Sequence, residues 1–207
     1  MKNRAVCFII ICMMKKFSGI TLDVLFDSPI KVKLLKLFLY NPDENFESKA
    51  VSKKLNLKPA QVNKNINDLV EIRFLNCKKS KGKKIFRVDR GFEFYNELKE
   101  LIAKASPASK EKMLKRFKSL GKIKLALLAG VFINSDTSRA DLLIVADNIK
   151  PAKFNNFIKK LEAEVGKEIG YALMTNKEFH YRYDMYDRFI RDLLDFKHEK
   201  LINKLKI

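Results

Sequence analysis

Two short runs constrain this chain more than any other feature: Ile123 to Ala129 (IKLALLA) and Ala140 to Ala146 (ADLLIVA). A strand with one wet face alternates apolar and polar residues, whereas a near-continuous apolar run suits a strand buried on both faces. The segments that follow can supply the cover. Pro151 to Val165 is amphipathic, with Phe154, Phe157, Ile158, Leu161 and Val165 on one helical face. Ile169 to Met174 reads as a third strand. Thr175-Asn176-Lys177-Glu178 is a capping box opening a helix. A last helix, about Met185 to Phe196, carries Phe189, Ile190, Leu193 and Leu194.

The first half has a different period. Ser28 suits an N-cap and Pro29 the first helical position, where its missing N–H costs nothing. Ile30, Leu34, Leu35, Leu37 and Phe38 then keep helical spacing up to Tyr40, and Asn41-Pro42-Asp43 ends the helix. A second helix fits Ser48 to Leu55. Asn56-Leu57-Lys58 makes a tight turn, and Pro59 opens a third helix through about Val70 with Val62, Ile66 and Leu69 inward. Phe74 to Cys77 and Ile85 to Val88 read as two strands around a lysine-rich connection in which Gly82 supplies the permissive backbone. A further helix is expected from about Phe92 to Ala105. Ser106-Pro107-Ala108-Ser109 is a linker, and Lys110 to Leu120 a basic connecting helix.

Charge narrows the partners. The 207 residues carry a formal net charge of +19. The excess is spread, with 20 Lys+Arg against 11 Asp+Glu over residues 15–105 and 21 against 13 over 106–207. Both halves suit a polyanion, and nucleic acid is the commoner one for a cytoplasmic chain, the default location. Solvated faces of a lysine-rich protein give the same composition. Cys7, Cys12 and Cys77 form no CxxC, and His180 and His198 stand eighteen residues apart, so no disulfide frame, metal or cofactor is expected. The apolar run Ala5 to Met14 is about half of the ~20 residues a membrane span needs. Residues 1–22 are therefore read as an N-terminal extension, with Met14 as a second candidate start and no membrane partner.

Three helices, a basic-tipped hairpin and a helix over 23–105 resemble the winged helix-turn-helix of prokaryotic transcriptional regulators. The resemblance implies double-stranded DNA as partner. The third helix would read bases through Gln61, Asn63, Lys64 and Asn65 behind Lys58, with Asn67 on the same polar side; Asn and Gln suit adenine, Lys guanine or phosphate. The hairpin lysines Lys78, Lys79, Lys81, Lys83 and Lys84 would touch phosphate or the minor groove, positioning rather than specifying.

Residues 122–207 are similar to the polymerase-β-like nucleotidyltransferases. The marks are a strand, Gly130, a short loop, and Arg139-Ala140-Asp141 leading the next strand. In that superfamily a Gly-Ser turn grips nucleotide phosphates and an Asp-x-Asp pair holds divalent metals. Here Val131 stands for the Ser and Arg139 for the first Asp, so Asp141 alone remains of the pair. Arg139 is expected to pair with Asp141 and repel a metal. The degenerate nucleotide site (Gly130, Val131, Arg139, Asp141) thus points to a pseudoenzyme with no catalytic residues, kept for dimerisation or for sensing a nucleotide or other anion.

The expected fold class is α+β: a winged helix of three helices plus a β-hairpin, a linker and connecting helix over 106–121, and a small α/β nucleotidyltransferase-like domain with a mixed sheet. The function expected is DNA-binding transcriptional regulation. Two alternatives stay open: an active transferase on a small molecule, protein or RNA, borrowing an acid such as Glu168 or Asp136, and an RNA-binding or scaffold protein. A homodimer is expected through Tyr183, Tyr186, Phe189, Ile190, Leu193 and Leu194, with the Phe92–Ala105 helix as rival.

Overall fold

The first helix among the described residues, α1 (Pro29–Tyr40), is buried on every side from Leu34 to Leu39. The Ser28 hydroxyl accepts from the Lys31 amide at 3.2 Å and Pro29 fills the first position. Val32 and the whole stretch Leu34 to Leu39 are then shielded, including Lys36. An amphipathic stripe needs one partner surface, and a helix buried all round needs two. The computed structural model, which describes residues 26–80, 82–105, 110–135 and 137–207 (backbone only for 110–112), supplies both. The expected N-terminal extension, the linker Ser106 to Ser109, Lys81 and Asp136 lie outside the described residues.

The architecture is mixed α+β, with eight α-helices and two small sheets among the described residues. The first unit adds β1 (Phe46–Glu47), α2 (Ser48–Leu55), α3 (Pro59–Glu71), β2 (Leu75–Ser80), β3 (Lys83–Val88) and α4 (Tyr95–Lys104). Asn56 ends α2 in the left-handed conformation, φ 51°, so that only Asn56, Leu57 and Lys58 separate α2 from α3. The antiparallel sheet runs β1-β3-β2, and β1 aligns Phe46 with Phe86. Two residues carry no period, so β1 left no pattern in the sequence.

The hairpin is longer than expected. Pairing continues from Leu75↔Val88 to Ser80↔Lys83, so Lys78, Lys79, Lys83 and Lys84 belong to strands rather than to a loop. The outer ribbon buries nothing and shows no alternation, but its backbone hydrogen bonds continue all the same. The expected helix from Phe92 begins three residues late. The Asp89 carboxylate accepts from Gly91 N at 2.9 Å and the Asp89 carbonyl from Phe92 N at 3.2 Å, which holds a turn before α4.

The second unit contains α5 (Lys110–Leu120), β4 (Ile123–Leu128), a single 3₁₀ turn (Gly130–Phe132), β5 (Leu142–Ala146), α6 (Pro151–Val165), β6 (Tyr171–Met174), α7 (Asn176–Asp184), α8 (Arg188–Asp195) and β7 (Glu199–Asn203). Its sheet runs β6-β5-β4-β7; β5 and β6 are parallel across the α6 crossover and the other pairs antiparallel. Ala126, Leu128, Leu142 and Ile144 face α5 and α6, whereas Leu125, Leu127, Leu143 and Val145 face α7 and α8. Cover on both faces is why these strands read as continuous apolar runs.

Three details differ from expectation. The last helix starts at Arg188, because Tyr186 takes φ 53° and the Asp187 carboxylate caps Ile190 N at 3.1 Å. Ile190 and Leu193 are buried, and Phe189 and Leu194 pack on the same core, so four of the six residues expected at a dimer contact cover their own sheet. The capping box is half formed: Thr175 accepts from Glu178 N at 3.1 Å, but the Glu178 carboxylate turns to Arg182 at 3.0 Å. Among the described residues no helix is long and apolar enough to cross a membrane.

The second surface that α1 requires is α6, which packs on both α1 and α2. Gly166 caps α6 at φ 84°, and a Cβ there would lie 2.7 Å from Leu37 N. Asn41 bridges the units, donating to Leu37 O at 2.6 Å and Gly166 O at 2.8 Å.

Candidate nucleic-acid interface

Burial of Val62, Ile66 and Leu69 fixes which side of α3 faces outward. Lys58, Gln61, Asn63, Lys64 and Asn67 are exposed, and Asn65 is half-buried. Two of these side chains are engaged within the protein. The Asn65 amide donates to Gln61 O one turn earlier at 2.8 Å, and Asn63 accepts from the Ser48 hydroxyl, which ties α3 to the start of α2. Lys58, Gln61, Lys64 and Asn67 therefore form the outward face.

α3 packs against β2 and runs into it through Ile72 to Phe74. Beyond Leu75 the ribbon projects by roughly 17 Å at the usual rise per residue. Lys79 lies directly opposite Lys84 across the ladder, and Lys78 opposite Ile85. Like charges at directly opposed positions destabilise a ladder. Among the described residues no acid relieves this pair, whereas Lys83 meets Glu47 at 2.9 Å. Near the hairpin's base Arg87 and Arg90 share Asp43 at 2.9 and 2.7 Å, so their charges are partly answered. Lys81, expected at the tip, is outside the described residues. The ribbon offers uncompensated cations on a projecting surface, a form that suits an extended polyanion.

Of the four residues expected to form a degenerate nucleotide site, Gly130, Val131 and Asp141 meet and Arg139 does not join them. Asp141 just precedes β5. Its carboxylate accepts from Val131 N at 2.7 Å and from Gly170 N at 2.8 Å. Its backbone joins the same neighbours, with Ala129 N donating to Asp141 O at 2.8 Å and Asp141 N to Gly170 O at 2.7 Å. Gly130 sits at φ 49°, where a Cβ would overlap the Asp141 carboxylate. The turn amide that would grip a phosphate is thus already bonded to an acid from the chain itself.

Arg139 does not pair with Asp141. Its guanidinium meets Asp192 on α8, because the chain turns between Arg139 and Leu142 instead of holding both residues on one strand face. Glu168, considered as a borrowed acid, pairs with Lys54 at 3.4 Å. Among the described residues no group of three or more His, Cys, Asp or Glu side chains is placed to hold a metal.

Comparison with protein-family models, with curated proteins and with solved structures finds no match.

A second carboxylate closes the other end of β5 and had no signal in the sequence. Asp147 accepts from Asn176 N at 2.9 Å and meets Lys124 Nζ at 3.1 Å. These contacts, the backbone bond first, hold its carboxyl below the usual carboxylate range. Burial pushes the Tyr40 phenol in the opposite sense, upward. The sequence reading also missed a cleft between α2 and α6. Its lysine doublets, Lys53-Lys54 and Lys159-Lys160, are visible in the sequence, but only the packing of α6 on α2 brings them together.

Proposed function

We propose that this protein is a winged-helix DNA-binding regulator, contacting duplex DNA through α3 and the β2–β3 hairpin. The observation that carries the reading is the Lys79–Lys84 pair, opposed across a projecting ribbon with no acid among the described residues to neutralise it. The three-residue turn between α2 and α3 supports it, since helix-turn-helix units join their helices in this way and present the second to the major groove. So does the exposed row of Lys58, Gln61 and Lys64. Titrating labelled random duplex into the protein over a series of salt concentrations tests it. The expected log–log slope is several units, at roughly −0.9 per neutralised phosphate. Failure to bind random duplex at low salt would defeat the reading.

Residues 122–207 are read as a nucleotidyltransferase-like domain without turnover. One carboxylate cannot hold two metals, and Asp141 is spent on the amides of Val131 and Gly170. Incubation with labelled nucleoside triphosphates and Mg²⁺ or Mn²⁺ is expected to give no transfer to protein, RNA or small acceptors; transfer lost in Asp141→Asn would overturn this. Tyr181, Met185 and Tyr186 remain 66%, 65% and 73% exposed around the α7–α8 junction. This apolar group is the proposed homodimer contact, and sedimentation of the full chain at micromolar concentration tests it, a monomer being the adverse result.

A further inference from the structure

The cleft between the two units has a volume of about 460 Å³. Its walls are α2 and α6 with the turn after α6, and Leu37, Leu55 and Gly166 contribute to its lining. That volume falls within the ~300–1,000 Å³ usual for small-molecule sites. The cleft is preformed. The close approach of Gly166 to the α1 backbone and the two bonds from Asn41 fix α6 against α1, so the walls are set before any ligand arrives.

The charge of the cleft is lopsided. Lys53, Lys54, Lys159, Lys160 and Lys167 line it against Glu162 and Glu168. Both acids are already engaged: Glu168 pairs with Lys54, and Glu162 accepts from Ile169 N at 3.2 Å. Among the described residues the side chains of Lys53, Lys159, Lys160 and Lys167 have no hydrogen-bond or ion-pair partner. Like charges gathered in a concavity repel one another, and low-dielectric walls focus their field on whatever enters. Asn56 and Asn156 add neutral hydrogen-bonding groups to the same walls. Asn156 and Lys160 also border a neighbouring depression of about 330 Å³ that includes Lys153, so the basic surface continues along α6.

We propose that this cleft binds a small anion carrying two or more phosphate groups, such as a nucleoside triphosphate or inorganic tripolyphosphate. Several linked phosphates match several unpaired ammonium groups, and the limited volume of the cleft suits a compact ligand, whereas the projecting hairpin suits an extended one. Asp141, whose cradle is already filled, is not among the residues that line the cleft. This site goes beyond the DNA reading and stands if duplex DNA fails to bind.

The test is calorimetric titration of the full chain with inorganic tripolyphosphate, and separately with ATP, at fixed ionic strength and without divalent metal. One saturable site is expected. The double variant Lys159→Gln/Lys160→Gln should weaken it at least roughly tenfold, while Lys79→Gln/Lys84→Gln on the hairpin leaves it unchanged. All four side chains are exposed, so melting temperatures should hold; Lys53→Gln/Lys167→Gln repeats the test from the other walls should the first variant melt early. Absence of a saturable signal, equal losses in cleft and hairpin variants, or full binding by both cleft variants overturns the proposal. So does a cleft variant that weakens duplex binding while the unaltered protein takes up no tripolyphosphate, which assigns these lysines to DNA.

Discussion

At the entrance to β5 the amides of Val131 and Gly170 are taken by the carboxylate of Asp141, whereas at the outer end of the hairpin Lys79 and Lys84 face each other with no acid paired to them among the described residues. Both places attract anions, and the chain supplies the anion at only one. A site filled from within contributes to folding and has nothing left for a ligand. A site left open costs some stability and keeps its field for a partner. Substitution should therefore act on folding at the first place and on association at the second.

Gly130→Ala should have the largest effect. It sets a Cβ against the Asp141 carboxylate at a left-handed backbone position, and a loss of about 3–5 kcal/mol in urea unfolding is expected. Asp141→Ala comes next, since it strands two amide donors; about 2–4 kcal/mol should be lost, with Asp141→Asn recovering part of it. If either variant melts like the unaltered protein, the carboxylate is not holding the sheet, and the contrast fails. At the hairpin, Lys79→Ala/Lys84→Ala should flatten the salt slope for DNA by about two units while raising stability by a few tenths of a kcal/mol. A fall in stability there would mean that the opposed lysines support the ladder.

The smallest effect concerns pH. The Asp147 carboxyl is held low in the folded chain, so its contribution is fully present above the unfolded value near 4 and is lost as pH falls through the folded value. The stability difference between the unaltered protein and Asp147→Asn should be constant from pH 7 to about 4.5 and shrink below that. Thermal melts over pH 7 to 3 check it; a difference that grows in acid would contradict the assignment.

Much of the framework was legible in the sequence. The starts and ends of α2, α5 and α6 follow from turn residues, Pro at the first position and apolar spacing, and the two-sided burial of β4 and β5 from their composition. What escaped was structure without hydrophobic alternation. The lysine-bearing stretch of the hairpin is paired with little burial, the edge strand β7 packs only Leu201 and Ile202 partly on the core, and β1 has only two residues. Charged partners were the least legible. Spacing placed Arg139 beside Asp141, but the chain bends before β5 and sends it to Asp192, an acid more than fifty positions away. The cleft escaped for the same reason, because its lysines come from helices about a hundred positions apart.

The double burial of α1 also bears on how such a chain is inherited and dismantled. A helix that serves as a wall for both units cannot be retained by one and discarded by the other. Cutting after Ala105 would bare the side of α1 that α6 covers, next to Lys36 and Leu37. The two sheets should then melt in one calorimetric transition, and changes at Leu37 and at Gly166 should be tolerated only together. The pair would pass from ancestor to descendant as a single piece, not as interchangeable modules.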